Sequence, residues 1–144
     1  MAEVVAPMTG EVGFTFRGAH VVLGMATADD ADGLRRYAQS VVTSTVPGAG
    51  EILPDLAEGF AAYVEGDHAA ASEHFLRQAD AVQRIGGSHA QREVFEDTLI
   101  QALTHAGRLD EAAERLRARL DRRPSPLDSA LLNRTRSPVI GAAE

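Results

Sequence analysis

A glycine-bounded segment recurs in this chain and limits the folds that it can adopt. "EGDHAAASEHFLRQA" from Glu65 and "AGRLDEAAERLRARL" from Ala106 align at an offset of 41 residues. A weaker copy, "TADDADGLRRYAQS" from Thr27, fits the first at an offset of 38. In each copy a turn precedes a helix that carries a small residue and, four positions later, a large apolar one. Such recurrence is typical of stacked helical units that bury their apolar faces against one another.

Apolar residues at three- and four-residue spacing predict helices on both sides of these turns. One helix runs from Asp67 to Ile85, and a second follows Ser88. Gly86 and Gly87 favour the end of the first helix, while Ser88 and Gln91 form an S-x-x-Q capping box for the second. The predicted buried residues are Ala70, Ala71, Phe75, Ala79 and Val82 in the first helix, and Phe95, Leu99, Ala102, Leu103 and Ala106 in the second.

The remaining segments complete a single helical domain. Residues 14–26 could begin as a strand, since "VGFTF" alternates, but the repeat context favours a helix. "VPGAGEILP", residues 46–54, is interpreted as a linker between the first and second hairpins. A short capping helix is predicted at residues 126–134, with Leu127, Leu131 and Leu132 turned inward.

The predicted domain limits follow from these elements. Residues 14–134 should form one domain, which a chain of 144 residues can supply with a core. Residues 1–13 and 135–144 should be flexible ends.

The recurring segments resemble tetratricopeptide repeats. Gly66, Ala71 and Phe75 match the turn glycine, the small residue and the following aromatic residue of that repeat; the second copy matches with Gly107, Ala112, Leu116 and the terminating Pro124. The segment "IGGSHAQREVFEDTLIQALTHAGRLDEAAERLRARLDRRP" also resembles the C-terminal part of the tetratricopeptide repeat protein 38 family, and "AHVVLGMATADDA" is similar to an earlier hairpin of that family. The resemblance covers about residues 14–124. It implies an all-α, right-handed solenoid of three helical hairpins with a short C-terminal capping helix.

Composition excludes several classes of function. The 14 basic residues are all arginine and are outnumbered by 21 acidic ones, and the net charge of −7 argues against a nucleic-acid partner. Lysine and cysteine are absent, which removes Schiff-base, P-loop and thiol chemistry. Residues 108–136 hold eight arginines against five acids, so the rest of the chain carries about −10. With no signal peptide and no long apolar run, we expect a cytoplasmic protein without a membrane partner.

Polar residues at the start of the third hairpin are the best candidates for a functional site. His89 and Glu93 lie four residues apart on one face of a predicted helix, with Arg92 at its edge. His20 interrupts an apolar helix, where a buried imidazole would need a partner. These four residues could form a structural hydrogen-bond and salt-bridge cluster. They could also form a Zn²⁺ or Fe²⁺ site, or a polar pocket in which Arg92 binds a carboxylate or phosphate.

The other histidines have structural interpretations. His68 is predicted to pack behind its turn, and His74 is predicted to face solvent. His105 lies in the last turn of its helix, where a positive charge is favourable.

The leading functional hypothesis is an interaction or scaffold module that binds a protein or peptide partner. Self-association as a homodimer is predicted, because the first hairpin is apolar nearly all round, with Val21, Val22, Leu23 and Met25. The alternative is a small enzyme or ligand-binding protein that uses His20, His89, Arg92 and Glu93 and takes a small-molecule ligand. No strong catalytic motif supports the alternative, and we expect neither a cofactor nor a resident metal.

Overall fold

The computed structural model describes residues 11–46, 48–83 and 89–136, with side chains from residue 17 and, in the last range, from residue 92. These ranges contain seven α-helices and no strand, which confirms the prediction of an all-α protein. The helices are α1 (Glu11–Thr27), α2 (Ala31–Val41), α3 (Ala49–Val64), α4 (His68–Val82), α5 (His89–His105), α6 (Leu109–Arg122) and α7 (Pro126–Arg136).

Each helix packs against the next one along the chain, and α1 also packs against α3. Phe60 of α3 contacts Phe95 of α5 with ring centroids 5.7 Å apart, so α3 also lies near α5. One apolar core runs from α1 to Ala112 of α6. A second apolar cluster joins the last three helices and contains Ile100, Ala113, Leu116 and Leu132.

The turns after α1, α3 and α5 share one hydrogen-bond pattern. In each turn the third residue donates its backbone N–H to the carbonyl five residues earlier, at 3.0, 2.9 and 2.8 Å; these donors are Asp30, Asp67 and Arg108. The residue before each donor has a left-handed backbone, with φ of 55° at Asp29, 83° at Gly66 and 78° at Gly107. This pattern is the Schellman motif, which ends a helix and satisfies its last carbonyls.

The turn geometry corrects the predicted alignment of the first copy. The matching residues Asp30 and Asp67 are 37 positions apart, and not 38. Asp29 therefore matches Gly66, although its residue type had suggested Asp67. As a result, Leu34 takes the position of Ala71, which the sequence had assigned to Gly33.

Two of the three turns also cap the helix that follows. The Asp30 carboxylate accepts a hydrogen bond from the N–H of Gly33 at 2.8 Å, and the Asp67 carboxylate accepts one from Ala70 at 3.0 Å. Such caps satisfy N–H groups that have no partner within the helix. Arg108, at the third turn, makes no side-chain cap.

The linker predicted at residues 46–54 is wrong, because α3 already begins at Ala49. Pro54 lies inside this helix and removes one backbone N–H donor. Burial of the neighbouring Leu53, Leu56 and Ala57 offsets that loss. The proline therefore marks an early turn of a helix and not a connection.

Helix limits elsewhere differ from the predictions by a few residues. The helix α1 begins at Glu11, inside the segment predicted to be flexible, and α7 continues to Arg136. The predicted break between the second and third hairpins falls between Val82 and His89. The roles predicted for Gly86, Gly87 and Ser88 concern positions outside the described residues.

The capping helix α7 is present, but only part of its predicted inward face is buried. Leu132 is buried and Leu131 is half-buried, whereas Leu127 is 69% exposed. The buried face also contains Asp128 and Thr135, which the sequence had not indicated. The prediction for Leu127 was wrong because a hydrophobic pattern assigns the apolar residues to the inner face. It cannot indicate that the neighbouring aspartate, Asp128, is the residue that is buried.

Candidate functional site

The four candidate residues lie in different environments. His20 is exposed on α1, so the buried imidazole suggested by the sequence is not observed. His89 is the first residue of α5, and its side chain lies outside the described part of the chain. The Glu93 carboxylate accepts two hydrogen bonds from the Arg123 guanidinium, at 2.7 and 2.8 Å. Glu93 therefore takes part in an ion pair between helix α5 and the end of α6.

Arg92 and Glu93 line a small polar cleft whose described lining does not include His20. Its described lining comes from the end of α4, from α5 and from α6, and none of it comes from α1; the residues are Gln83, Arg92, Glu93, Glu96, Arg119 and Arg122. Among the side chains that the structure describes, which do not include that of His89, no three from His, Cys, Asp or Glu are grouped as metal ligands would be. Whether His89 joins the cleft stays a prediction.

A row of ion pairs joins α5 to α6. The pairs are Glu93–Arg123 at 2.7 Å, Glu96–Arg115 at 2.9 Å and Asp97–Arg119. Sequence reasoning missed this row. The sequence pattern that could have predicted the row is the spacing of four residues between Glu93 and Asp97 on α5. The same spacing separates Arg119 and Arg123 at the end of the following antiparallel helix.

Arg119 also holds α7 in place. Its side chain is 8% exposed, and its Nε lies 3.2 Å from Oδ2 of Asp128, whose side chain is 2% exposed. These two atoms lack hydrogen-bond geometry, so their attraction is mainly electrostatic. Burial favours a lower pKa for Arg119, but the hydrogen bond to Asp97 and the nearby carboxylates outweigh it and raise the pKa. The guanidinium therefore stays charged within the helix interface.

A second polar cluster joins α3 to α4 around Asp55. His74 Nδ1 lies 2.9 Å from Asp55 Oδ1, and Arg77 and Gln78 donate hydrogen bonds to the same carboxylate at 2.9 and 2.7 Å. Burial favours a higher pKa for Asp55, but hydrogen bonds from Arg77, Gln78 and His74 outweigh it and lower the pKa to about 2. His74 is half-buried in this cluster, so the prediction that it faces solvent is wrong.

The remaining histidines pack at the ends of α4 and α5. The His68 ring stacks on His105 with centroids 4.7 Å apart, and Tyr63 meets the His68 ring edge-on at 5.1 Å. The packing role predicted for His68 is therefore confirmed. His105 lies in the last turn of α5, as predicted, and it is exposed there.

An open apolar groove of about 340 Å³ crosses α1, α3 and α5. Its lining is Leu23, Ala26, Thr27, Asp29, Phe60, Tyr63, Val64, Val94 and Thr98. Val94 is 42% exposed there. Next to the groove, the Tyr63 hydroxyl donates a hydrogen bond to Gln101 Oε1 at 2.7 Å, which links α3 to α5.

Sequence reasoning did not identify this groove. Val94, Thr98 and Gln101 lie at i, i+4 and i+7 and mark one face of α5. An apolar residue on that face was the available signal. The spacing alone could not show that α1 and α3 would lie opposite.

No protein-family model, curated protein or solved structure matches the chain. The resemblance to the tetratricopeptide repeat protein 38 family therefore stays a prediction. None of the described helices is both long enough and apolar enough to cross a bilayer.

Proposed function

We propose that the protein is a small tetratricopeptide-like interaction module that binds a peptide segment of a partner protein. In this proposal the three helix pairs form a right-handed α-solenoid, and α7 covers its last pair. The common Schellman turns support repeated units. The contact between α1 and α3, and the ring contact of Phe60 with Phe95, support side-by-side stacking of the first helices.

The observation that carries the functional proposal is the groove across α1, α3 and α5. Three successive first helices contribute apolar side chains to it, including Leu23, Phe60 and Val94. Its volume of about 340 Å³ lies near the lower limit of ligand sites, about 300–1,000 Å³. Small-molecule sites usually enclose most of their ligand. An open groove leaves much of an occupant in solvent, which suits a few side chains of a continuing peptide.

Selection from a displayed random-peptide library tests this proposal. Val94→Gln places a neutral polar side chain in the groove, and Val42→Gln makes the same change at an exposed position that does not line it. Both residues are exposed, so both variants should fold. We expect selected peptides to bind the wild-type protein and Val42→Gln equally, and Val94→Gln at least about tenfold more weakly, since burying one such apolar side chain contributes about 1.5–3 kcal/mol.

Two outcomes would contradict the proposal. One is that no peptide is enriched over a blank support. The other is that enriched peptides bind Val94→Gln as tightly as they bind the wild-type protein, which would place their site elsewhere.

The predicted homodimer would use a different surface. Val22 is buried and Leu23 and Met25 are half-buried, while Val21 is 44% exposed. Of these four residues, only Val21 is thus exposed, which is less than the sequence suggested. Val21 and the exposed Val42 are the residues that a contact between two copies would cover.

A further inference from the structure

Asp29 combines an unfavourable backbone with a position at the groove. Its φ of 55° lies in the left-handed region, where residues with a side chain are disfavoured. The two matching turns have glycine at this position, Gly66 and Gly107. Glycine adopts this conformation at little steric cost. Turn formation alone therefore favours glycine at residue 29, although aspartate tolerates this backbone better than most residues with a side chain.

The Asp29 carboxylate contributes little to the turn that contains it. The helix cap comes from the next residue, Asp30, which accepts the hydrogen bond from Gly33. Asp29 is exposed, and its carboxylate forms no ion pair or hydrogen bond with another described residue. Strained residues often occur at functional sites, where the strain is retained for binding or chemistry.

Asp29 is also the source of negative charge in the groove. Among the described residues that line the groove, it is the one that is charged at neutral pH, beside apolar side chains such as Leu23 and Phe60. The groove belongs to the part of the chain outside residues 108–136, which carries about −10. A carboxylate next to apolar surface in an acidic region attracts a cation on a partly apolar partner.

We infer that the groove selects a peptide with an arginine or lysine next to aliphatic or aromatic residues, and that Asp29 binds the basic side chain. The apolar side chains of the peptide fill the groove, and the cation pairs with the carboxylate at its edge. This inference rests on the proposed peptide-binding function and adds the chemistry of the partner.

A peptide array provides the test. Its members share leucine and phenylalanine and differ at one position, which is arginine, glutamine or glutamate. They are measured against the wild-type protein, Asp29→Asn and Asp29→Gly. Asp32→Asn serves as the matched control, because it removes the same charge from an exposed aspartate three residues away that does not line the groove.

The wild-type protein and Asp32→Asn should prefer arginine peptides over glutamine peptides by about two- to fivefold, as for an exposed ion pair. Asp29→Asn and Asp29→Gly should lose this preference but still bind the glutamine peptides. Asp29→Gly should also raise the melting temperature by about 2–4 °C, since glycine relieves the strained backbone. A gain in stability together with a loss of selectivity is the result that distinguishes binding from a structural role.

The possible failures can be told apart. If no array peptide binds the wild-type protein although the random library yields peptides that do, the inference alone is wrong; if neither yields a binding peptide, the proposed function is wrong as well. If peptides bind without a charge preference, or Asp29→Asn keeps the preference, the inference alone is wrong. The inference is also wrong if Asp29→Gly lowers the melting temperature. A further contradicting result is that spermidine displaces the arginine peptides completely but leaves the glutamine peptides bound, which would indicate a small cation as the natural occupant.

Discussion

Gly59 of α3 faces the ring of Phe75 on α4, and this contact can be tested against a matched glycine. A Cβ atom added at Gly59 would lie 2.8 and 3.0 Å from two ring carbons of Phe75, and 3.1 Å from Cβ of His74. Phe75 cannot retreat easily, because Phe60 meets its ring edge-on with centroids 4.9 Å apart. Gly24 of α1 is also helical, but a Cβ there would meet nothing within 4 Å.

Replacing each glycine by alanine separates helix propensity from packing. Both changes favour the helix by about 0.8–1 kcal/mol. Gly59→Ala also overpacks the α3–α4 interface, which costs about 1–3 kcal/mol. Gly24→Ala should therefore raise the free energy of unfolding, whereas Gly59→Ala should leave it unchanged or lower it by up to about 2 kcal/mol. The two variants should differ by about 1–3 kcal/mol in urea denaturation followed by circular dichroism.

A double variant tests whether Phe75 is the cause. Phe75→Leu removes the ring edge that approaches Gly59, so Gly59→Ala should cost less in that background. The expected coupling energy is about 1 kcal/mol. If Gly59→Ala stabilises the protein as much as Gly24→Ala does, or if its cost is the same with leucine at position 75, the packing of α3 on α4 is not as described.

Further predictions concern the charged clusters, association and the candidate histidine. The hydrogen bonds of Asp55 should stabilise the fold fully above pH 3.8 and be lost as the pH falls towards about 2, because the pKa of Asp55 is lowered in the folded protein. Thermal melts should show that Asp55→Asn is less stable than the wild-type protein by about 1–2 kcal/mol at neutral pH, a figure that allows for solvent screening of the partly exposed side chain. The stability of the variant should also change less with acid. Asp128→Ala removes one partner of the buried Arg119 charge and should lower the free energy of unfolding by about 3 kcal/mol in urea denaturation. This value is near the lower end for breaking a buried ion pair, because Asp97 still pairs with Arg119. A loss below about 0.5 kcal/mol, as at ordinary surface sites, would contradict the buried pair. Light scattering should give a dimer mass, and a monomer mass over a wide concentration range would exclude self-association. His89→Ala should lower the melting temperature and leave peptide affinity nearly unchanged, whereas full stability with loss of a bound metal or small molecule would favour the enzyme alternative.

Local sequence signals account well for the turns. Gly66 and Gly107 have the left-handed backbone that glycine favours at the end of a helix. Asp29 has the same backbone without being glycine, and its residue type suggested a match with Asp67. Backbone hydrogen bonds resolve this ambiguity, because they place Asp30 in the position of Asp67. Residue identity alone could not distinguish two adjacent aspartates.

Contacts between distant residues were the part that the sequence could not supply. The buried face of α7 contains Asp128 because Arg119 of α6 lies beside it, and a hydrophobic pattern indicates neither residue. Glu93 was identified as a polar residue of interest, but its partner Arg123 lies thirty positions away. The groove likewise depends on three helices that are separated along the chain.

The most direct test of the account is to map where a bound peptide changes the protein. An arginine peptide that binds in the array is titrated into ¹⁵N-labelled protein, and amide chemical shifts are followed by NMR. We predict that the largest changes cluster around Leu23, Asp29, Tyr63 and Val94, on α1, α3 and α5, and that the exposed faces of α6 and α7 change little. Largest changes on α6 and α7, or no saturable change at any amide, would contradict the claim that this groove is the binding site of the protein.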